Sequence, residues 1–473
     1  MRARLFSPEF RKWWTLLAVA FGLFMIMLDN TVVNVSLPSI ERDLHIGISE
    51  LEWVVNAYAL TFGVLLLTGG KLADLLGRRR IFVIGLVIFT ASSLFCGISN
   101  SAGLLIGART VQGVGAALMN PATLSIITAT FPPRQRGLAI GIWAGVSAMA
   151  LAIGPLIGGL LTQHASWSWV FFINVPIGIL GIAAAFVFID ESRDTSHEQR
   201  LDPLGLLSSG IALFALTYAL IEANTYGWGS TRILGLFVIA ALFFVAFVLL
   251  EQHQRIPMLD LSLFKNPTFA AANAVMLLVG LAMFGVFFFI SLYVQGVLHY
   301  SPTQAGATFL PMTVLIILVA PQAGRLSDKF GPRWLITVGQ ALLAVSLLLF
   351  SRLEAHSNFY DLLPALFLGG LGMALSMAPL TSAAMGSIPT DKAGVGSAVI
   401  NSMRQVGGSV GLAVMGAIIA SQGAATVRAP FTIHGFQLGL RVAAGIAVCG
   451  CLIAAVIIGE VRVRGAQPAP GAA

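Results

Sequence analysis

Long apolar runs, each closed by a short polar or charged stretch, set the pattern of this chain. A membrane-crossing helix needs roughly 20 such residues. Runs of that length fall at about 14–36, 50–70, 81–99, 103–129, 138–162 and 169–189. After the polar stretch 190–202 come two more, at about 204–222 and 231–250. Beyond the amphipathic stretch 251–268, six further runs lie at about 269–293, 303–324, 334–351, 361–388, 396–421 and 436–460. The expected architecture is all-α and integral to a membrane: about 14 spanning helices, as two six-helix bundles and an inserted two-helix hairpin. The divisions that follow are an N-terminal segment 1–13, a bundle 14–190, a linker with hairpin 191–268, a second bundle 269–460 and a tail 461–473.

The two bundles repeat one another. Gly70-Lys-Leu-Ala-Asp74-Leu-Leu-Gly77-Arg78-Arg79 recurs as Gly324-Arg-Leu-Ser-Asp328-Lys-Phe-Gly331-Pro-Arg333. Gly113 and Gly115 likewise match Gly370 and Gly372, and Pro132 and Gly137 match Pro389 and Gly394, with offsets of about 254 to 257 residues. A duplicated unit with an even number of crossings relates its copies by an axis along the membrane normal.

Composition agrees with burial in lipid. Of 473 residues, 57% are hydrophobic and 10% charged, less than half the charged share of a soluble domain. The net charge of +7 comes from short basic clusters between apolar runs, a distribution that reports topology and gives no nucleic-acid surface. Lys71, Arg78 to Arg80, Arg134, Arg136, Arg325, Lys329 and Arg333 are among those on the same side as the N-terminus; Arg42, Arg232, Arg352, Arg428 and Arg441 fall on the other. The positive-inside rule then places both termini in the cytoplasm. The first apolar run follows Arg2, Arg4, Arg11 and Lys12, as a signal peptide would, yet it contains Asp29 and lacks a small-residue cleavage site; it is expected to be a retained helix. Cys96, Cys449 and Cys451 all sit in apolar runs and are expected to be packing residues, with no metal site.

Charges inside the apolar runs are the candidate chemistry, because one at mid-membrane costs about 2.5–3.5 kcal/mol on insertion scales. Asp29 and Arg109 lie in the first and fourth runs, each near 10 Å from the outer surface at about 1.5 Å per residue. Equal depth lets them pair, either as a proton-carrying couple or as a static ion pair. Arg404 and Gln405 form a second intramembrane polar group, for which water, backbone carbonyls or snorkelling to the surface are all open partners. Glu222, near the outer end of the seventh run, is expected to be interfacial. No GxxxxGK[ST] phosphate loop occurs, so direct drive by ATP is not expected.

The signature loops, together with Leu28-Asp29-Asn30-Thr31-Val32-Val33-Asn34-Val35 and the fifth-run residues Gly145, Gly154, Pro155, Gly158 and Gly159, resemble the major facilitator superfamily and, within it, the fourteen-helix drug:proton antiporter family. The likeness covers most of the chain. It implies a bacterial cell-membrane exporter of hydrophobic or cationic compounds, monomeric, with no cofactor and driven by the proton gradient. Asp29 and Arg109 would then carry the coupling. The loops Gly70, Asp74, Gly77, Arg78, Arg79 and Gly324, Asp328, Gly331, Arg333 would gate, with Asp74 meeting the start of the thirteenth helix near Gly394 and Ser397, and Asp328 the fifth near Gly137. Leu75 departs from the family, which usually has a basic residue after the Asp. Asn30, Asn34, Asn56, Tyr58, Gln112, Asn120, Met403 and Arg404 would line the substrate cavity. A transporter of one metabolite or lipid, or a non-transporting receptor on the same fold, are the alternatives.

Overall fold

The computed structural model describes residues 8–193, 202–254, 257, 259–388, 393–422 and 432–459, apart from some side chains, among them those of Asp328, Gly137 and Gly394. Helices dominate. In the N-terminal bundle they are α1 (Pro8–Leu44), α2 (Ile48–Leu76), α3 (Arg78–Gly97), α4 (Ala102–Thr130), α5 (Pro133–His164) and α6 (Asn174–Phe188). The hairpin is α7 (Pro203–Tyr226) and α8 (Thr231–His253). The C-terminal bundle follows as α9 (Pro267–Gly296), α10 (Leu310–Phe330), α11 (Pro332–Phe350), α12 (Phe359–Gly386), α13 (Ala393–Ser421) and α14 (Ile433–Ile457). Among the described residues 13 segments are long and apolar enough to cross a membrane; α5, with 32 residues, completes the expected fourteen.

Helix ends obey capping chemistry more closely than hydropathy. The first helix runs from Pro8 to Leu44, 37 residues, or about 55 Å at 1.5 Å per residue, well beyond a hydrocarbon core of about 30 Å. Apolar length marks the immersed part, whereas caps such as Asp202 on Gly205 N and Ser230 on Ile233 N decide where the backbone turns. The sixth and tenth spans are each broken once, after Trp169–Phe172 and Pro302–Thr308. Pro176 and Pro311 follow the breaks, and proline removes the N–H that would bond four residues back.

The duplication predicted from the signature loops is present in the packing. α1 packs on α4, α5 and α6, α2 on α4, and α3 on α4 and α6; the same list recurs for α9 to α14. Close helix approach is repeated at equivalent glycines. A Cβ on Gly113 would lie 2.7 Å from the Tyr58 carbonyl, and one on Gly370 would lie 2.7 Å from that of Met312. Gly85 and Gly115 face each other across α3 and α4 as Gly339 and Gly372 do across α11 and α12. The bundles meet through α1 with α9, α2 with α13 and α5 with α10, a set that a two-fold axis maps onto itself. The hairpin lies on this seam: α7 packs on α2 and α13, and α8 packs on α7, leaving Leu234, Val238, Leu242 and Phe244 of α8 on the outside.

The bundle has two unlike ends. Arg11, Lys12, Lys71, Arg78 to Arg80, Arg193, Lys265, Arg325, Lys329 and Arg333 collect at the end where α1 begins, called here the basic end. Hydrogen bonds join the bundles at the far end: Ser291 Oγ donates to the Asn34 carbonyl (2.7 Å), Gln295 Nε2 to that of Val35 (2.8 Å) and Thr303 N to Gln163 Oε1 (3.1 Å). The structure is therefore sealed at the far end.

Candidate functional site: a buried ion pair in the N-terminal bundle

Asp29 on α1 is fully buried and Arg109 on α4 is 1% exposed. Arg109 Nη1 donates to Asp29 Oδ2 at 2.5 Å and to Gln112 Oε1 at 2.7 Å, while Gln112 Nε2 closes the ring on Asp29 Oδ1 at 3.1 Å. Gln112 also reaches Ser93 Oγ on α3 (3.3 Å), which takes a further bond from Asn174 Nδ2 on α6 (3.0 Å). Arg109 Nε donates to the Val54 carbonyl (3.1 Å), and its guanidinium lies 4.2 Å from the centre of the Tyr58 ring. Five helices thus hold one carboxylate and one guanidinium. In an apolar surround such a pair persists only if its remaining donors and acceptors are met, which Gln112, Val54 and the Tyr58 face accomplish.

Gln112 and Tyr58, expected to line the substrate cavity, belong to the ion-pair cage inside the N-terminal bundle. Asn56 and Asn120 are also buried. Asn30 and Asn34 are half-buried and bond back to their own helix, at the carbonyls of Ile26 and Asn30. Met403 and Arg404 are half-buried on α13. Arg404 makes no ion pair with a described residue. Sequence reasoning missed Ser93 and Asn174; a polar residue deep in an apolar run was the available signal. It also placed all three cysteines in packing roles. Cys96 is buried and Cys451 partly so, but Cys449 is exposed.

The signature loops show tight chemistry at different atoms from those expected. Gly70 would carry a Cβ at ordinary distance, 3.5 Å from Pro121, and the same holds at Gly324. The close approach is at Gly69, where a Cβ would overlap the Ala117 carbonyl. Gly77 and Gly331 have positive φ, 115° and 84°, and their N–H groups close the preceding helices on Ala73 and Ser327. Asp74 pairs with Arg78 at 3.0 Å within its own loop, where an approach to the start of α13 was expected; that approach needs the basic end closed, and here the far end is sealed. The packing around the expected partners Gly394 and Gly137, and the Asp328 side chain, lie outside what the structure describes. Arg79 donates to the Ile189 carbonyl at the end of α6 (3.2 Å), and its repeat counterpart Arg333 donates to the Ala455 carbonyl near the end of α14. Glu191, unforeseen, caps α3 by accepting from the N–H groups of Arg79 (3.1 Å) and Arg80 (3.2 Å).

The fifth-helix glycines divide between two tasks. A Cβ on Gly158 would lie 2.5 Å from the Val32 carbonyl, and one on Gly154 would overlap Thr31, so both bring α5 against α1. Gly159 and Pro155 meet the Pro302–Thr308 turn and Gly306 of the other bundle, a close packing across the two bundles. Gly145 has open space around it among the described residues.

Two duplicated six-helix bundles about a common axis, one of them holding a caged ion pair, define a secondary-transporter architecture. The profile of the Major Facilitator Superfamily matches residues 19–412 and 273–471, and the chain belongs to that superfamily. It is 39% identical over 412 residues to the tetracenomycin C resistance and export protein of Streptomyces glaucescens, spanning 87% of this chain and 77% of that protein. It is 36% identical to the puromycin resistance protein pur8 of Streptomyces alboniger, over 96% of this chain and 92% of the relative. Against the multidrug resistance protein Stp of Mycobacterium tuberculosis it is 36% identical over 87% of this chain and 77% of that one. Among solved structures, a bacterial homologue of the human lysosomal transporter Spinster matches with a TM-score of 0.65 at 18% identity, over 94% of this chain and 97% of that one. The chain is a multi-pass membrane protein with a transporter's fold.

Proposed function

We propose that this protein exports small hydrophobic or cationic compounds in exchange for protons by alternating access, with both termini in the cytoplasm of a bacterial cell. The caged Asp29–Arg109 pair carries this reading, together with relatives named for resistance to, and export of, antibiotics. Basic residues gathered at one end support placing that end in the cytoplasm. The far-end seal closes the outer side in this state, which supports reading it as the inward-facing half of the cycle.

The coupling runs along α1. While Asp29 is ionised it holds Arg109 and, through it, the Val54 carbonyl of α2. A proton on the carboxylate cancels the ion pair and frees Arg109 to its remaining acceptors, Gln112 and Val54. The Asn34 and Val35 carbonyls that seal the far end lie five and six residues further along α1, about 8–9 Å at helical rise. A shift of α1 against α4 at Asp29 therefore acts directly on the seal. Binding and protonation need only favour different states to exchange one for the other.

Relatives named for single antibiotics support a second reading, export of one dedicated compound. Proteoliposomes with an imposed pH gradient and a panel of lipophilic cations and polycyclic antibiotics separate these. Gradient-dependent movement of several compounds is expected, whereas movement of one alone selects the dedicated exporter. Movement indifferent to the gradient, or none, contradicts proton exchange.

A further inference from the structure

A second buried carboxylate lies outside the Asp29 cage. Glu52 on α2 is 3% exposed and makes no hydrogen bond or ion pair with a described residue. Its carboxylate rests against Gly416 of α13, where a Cβ would overlap Glu52 Oε1. The charged group acting on it is Glu222 of the hairpin helix α7, of the same sign; Glu222 Oε1 accepts from Ser49 Oγ of α2 at 2.9 Å. Among the described residues its other neighbours offer no counter-charge. Arg404 is the only ionisable residue along α13, placed beside the Gly280 contact three turns deeper, and Arg109 of α4 is engaged by Asp29. The helix dipole favours an anion only within the first turn, and in α2 that position is taken by Glu50, which caps Gly47 N at 3.0 Å.

Glu52 heads a stripe of unmet polar groups on the same α2–α13 seam. Asn56, one turn on, has both side-chain polar atoms buried without a partner, as do Gln405 and, at its hydroxyl, Ser409 on the facing side. The two helices run antiparallel here, with Glu52 against Gly416 and Gly63 against Gln405. Unmet buried polar groups cost about 1–3 kcal/mol each, and a lone buried carboxylate far more if ionised. A seam that carries several of them gains by opening to water.

We propose that Glu52 is a second proton-binding group of this protein, protonated while the α2–α13 seam is shut and deprotonated when the far end opens, with Glu222 of the inserted hairpin tuning its affinity for the proton. The step is the simple gain or loss of one proton by one carboxyl group. This rests on the proton-exchange reading above, since far-end opening is the outward-facing half of that cycle. It also gives the hairpin a task, which is to bring a like charge to the gate and to brace α13, where Asn224 Nδ2 donates to the Ala417 carbonyl at 2.8 Å.

The test needs neither substrate nor gradient. Spin labels at Asp43→Cys and Gln422→Cys, both exposed at the far end, in a background with the three native cysteines replaced, report far-end separation from pH 5 to 9. Wild type should lengthen as pH rises. Glu52→Gln should stay short throughout, Glu52→Asp should keep the response, and Glu222→Gln should move the midpoint down by about one pH unit, because removing a like charge favours ionisation. A wild type without response, or Glu52→Gln responding like wild type, overturns the proposal. Loss of pH-driven transport with the Glu52-dependent opening intact would instead remove the exchange reading and leave this site standing.

Discussion

The two bundles pair their helices in the same order, yet at equivalent depth one holds an ion pair and the other a small apolar cavity. Shifted by about 254 residues, or 257 in the fourth helix, Asp29, Tyr58, Arg109 and Gln112 fall on Met283, Met312, Leu366 and Gly369. All four of these line the cavity, with Phe287 and Phe309 beside them. The fold tolerates either filling. Backbone-to-backbone contacts at paired glycines hold the helices in both bundles, so the contents of the core are free to diverge. At these positions the charged pair is present in one copy only, at the insertion cost of a buried ion, and that copy is where coupling is proposed.

The largest effect should come from giving the N-terminal bundle its partner's residue one position at a time. Arg109→Leu strands the Asp29 carboxylate and should lower stability by about 3–5 kcal/mol, read as a fall in melting temperature in detergent. Asp29→Met combined with Arg109→Leu should recover most of that loss, since an apolar replacement of a buried pair is often neutral, and should still fail to transport along a pH gradient. If the double variant is as unstable as the single, the two cores are not interchangeable and the comparison breaks.

A smaller pair of changes tests the shared frame. Gly113→Ala and Gly370→Ala each push a Cβ to 2.7 Å from a carbonyl of the neighbouring helix, and overpacking of this kind costs about 1–3 kcal/mol. Equal losses in thermal unfolding support a frame common to both bundles; a loss at one alone denies it. Smallest is the effect at Gly331, which has positive φ but open space around it. Gly331→Ala should cost about 1–2 kcal/mol from the backbone alone. Gly77→Ala should exceed it, because the new Cβ also meets Glu191 Oε1 at 2.6 Å.

Much of this was legible from the chain. Apolar length and two near-identical loops are enough for fourteen helices and the duplication, and equal depth is enough to pair Asp29 with Arg109. What escaped depends on which way a helix face turns. Gln112 lies one turn from Arg109 and looked equally ready to face a central cavity, but its amide completes the Asp29 ring. Ser93 and Asn174 resemble the serines and asparagines that bond back to their own helix, as Ser92 and Asn273 do; only the packing of α3, α4 and α6 shows that they meet one another. Glu52, close behind Glu50 at a helix start, passes in sequence for part of a cap. The resemblance to a family pointed at Gly70, whereas the close contact falls on its neighbour Gly69, since a helix turns 100° between them.

Asp29 is proposed to carry the proton that drives transport. Asp29→Asn keeps the size and most hydrogen bonds of the side chain while removing its charge change. Reconstituted in liposomes with a transported compound, this variant should retain compound-for-compound exchange without a gradient and lose pH-driven accumulation at least tenfold. Gradient-driven accumulation at the wild-type level would contradict the account.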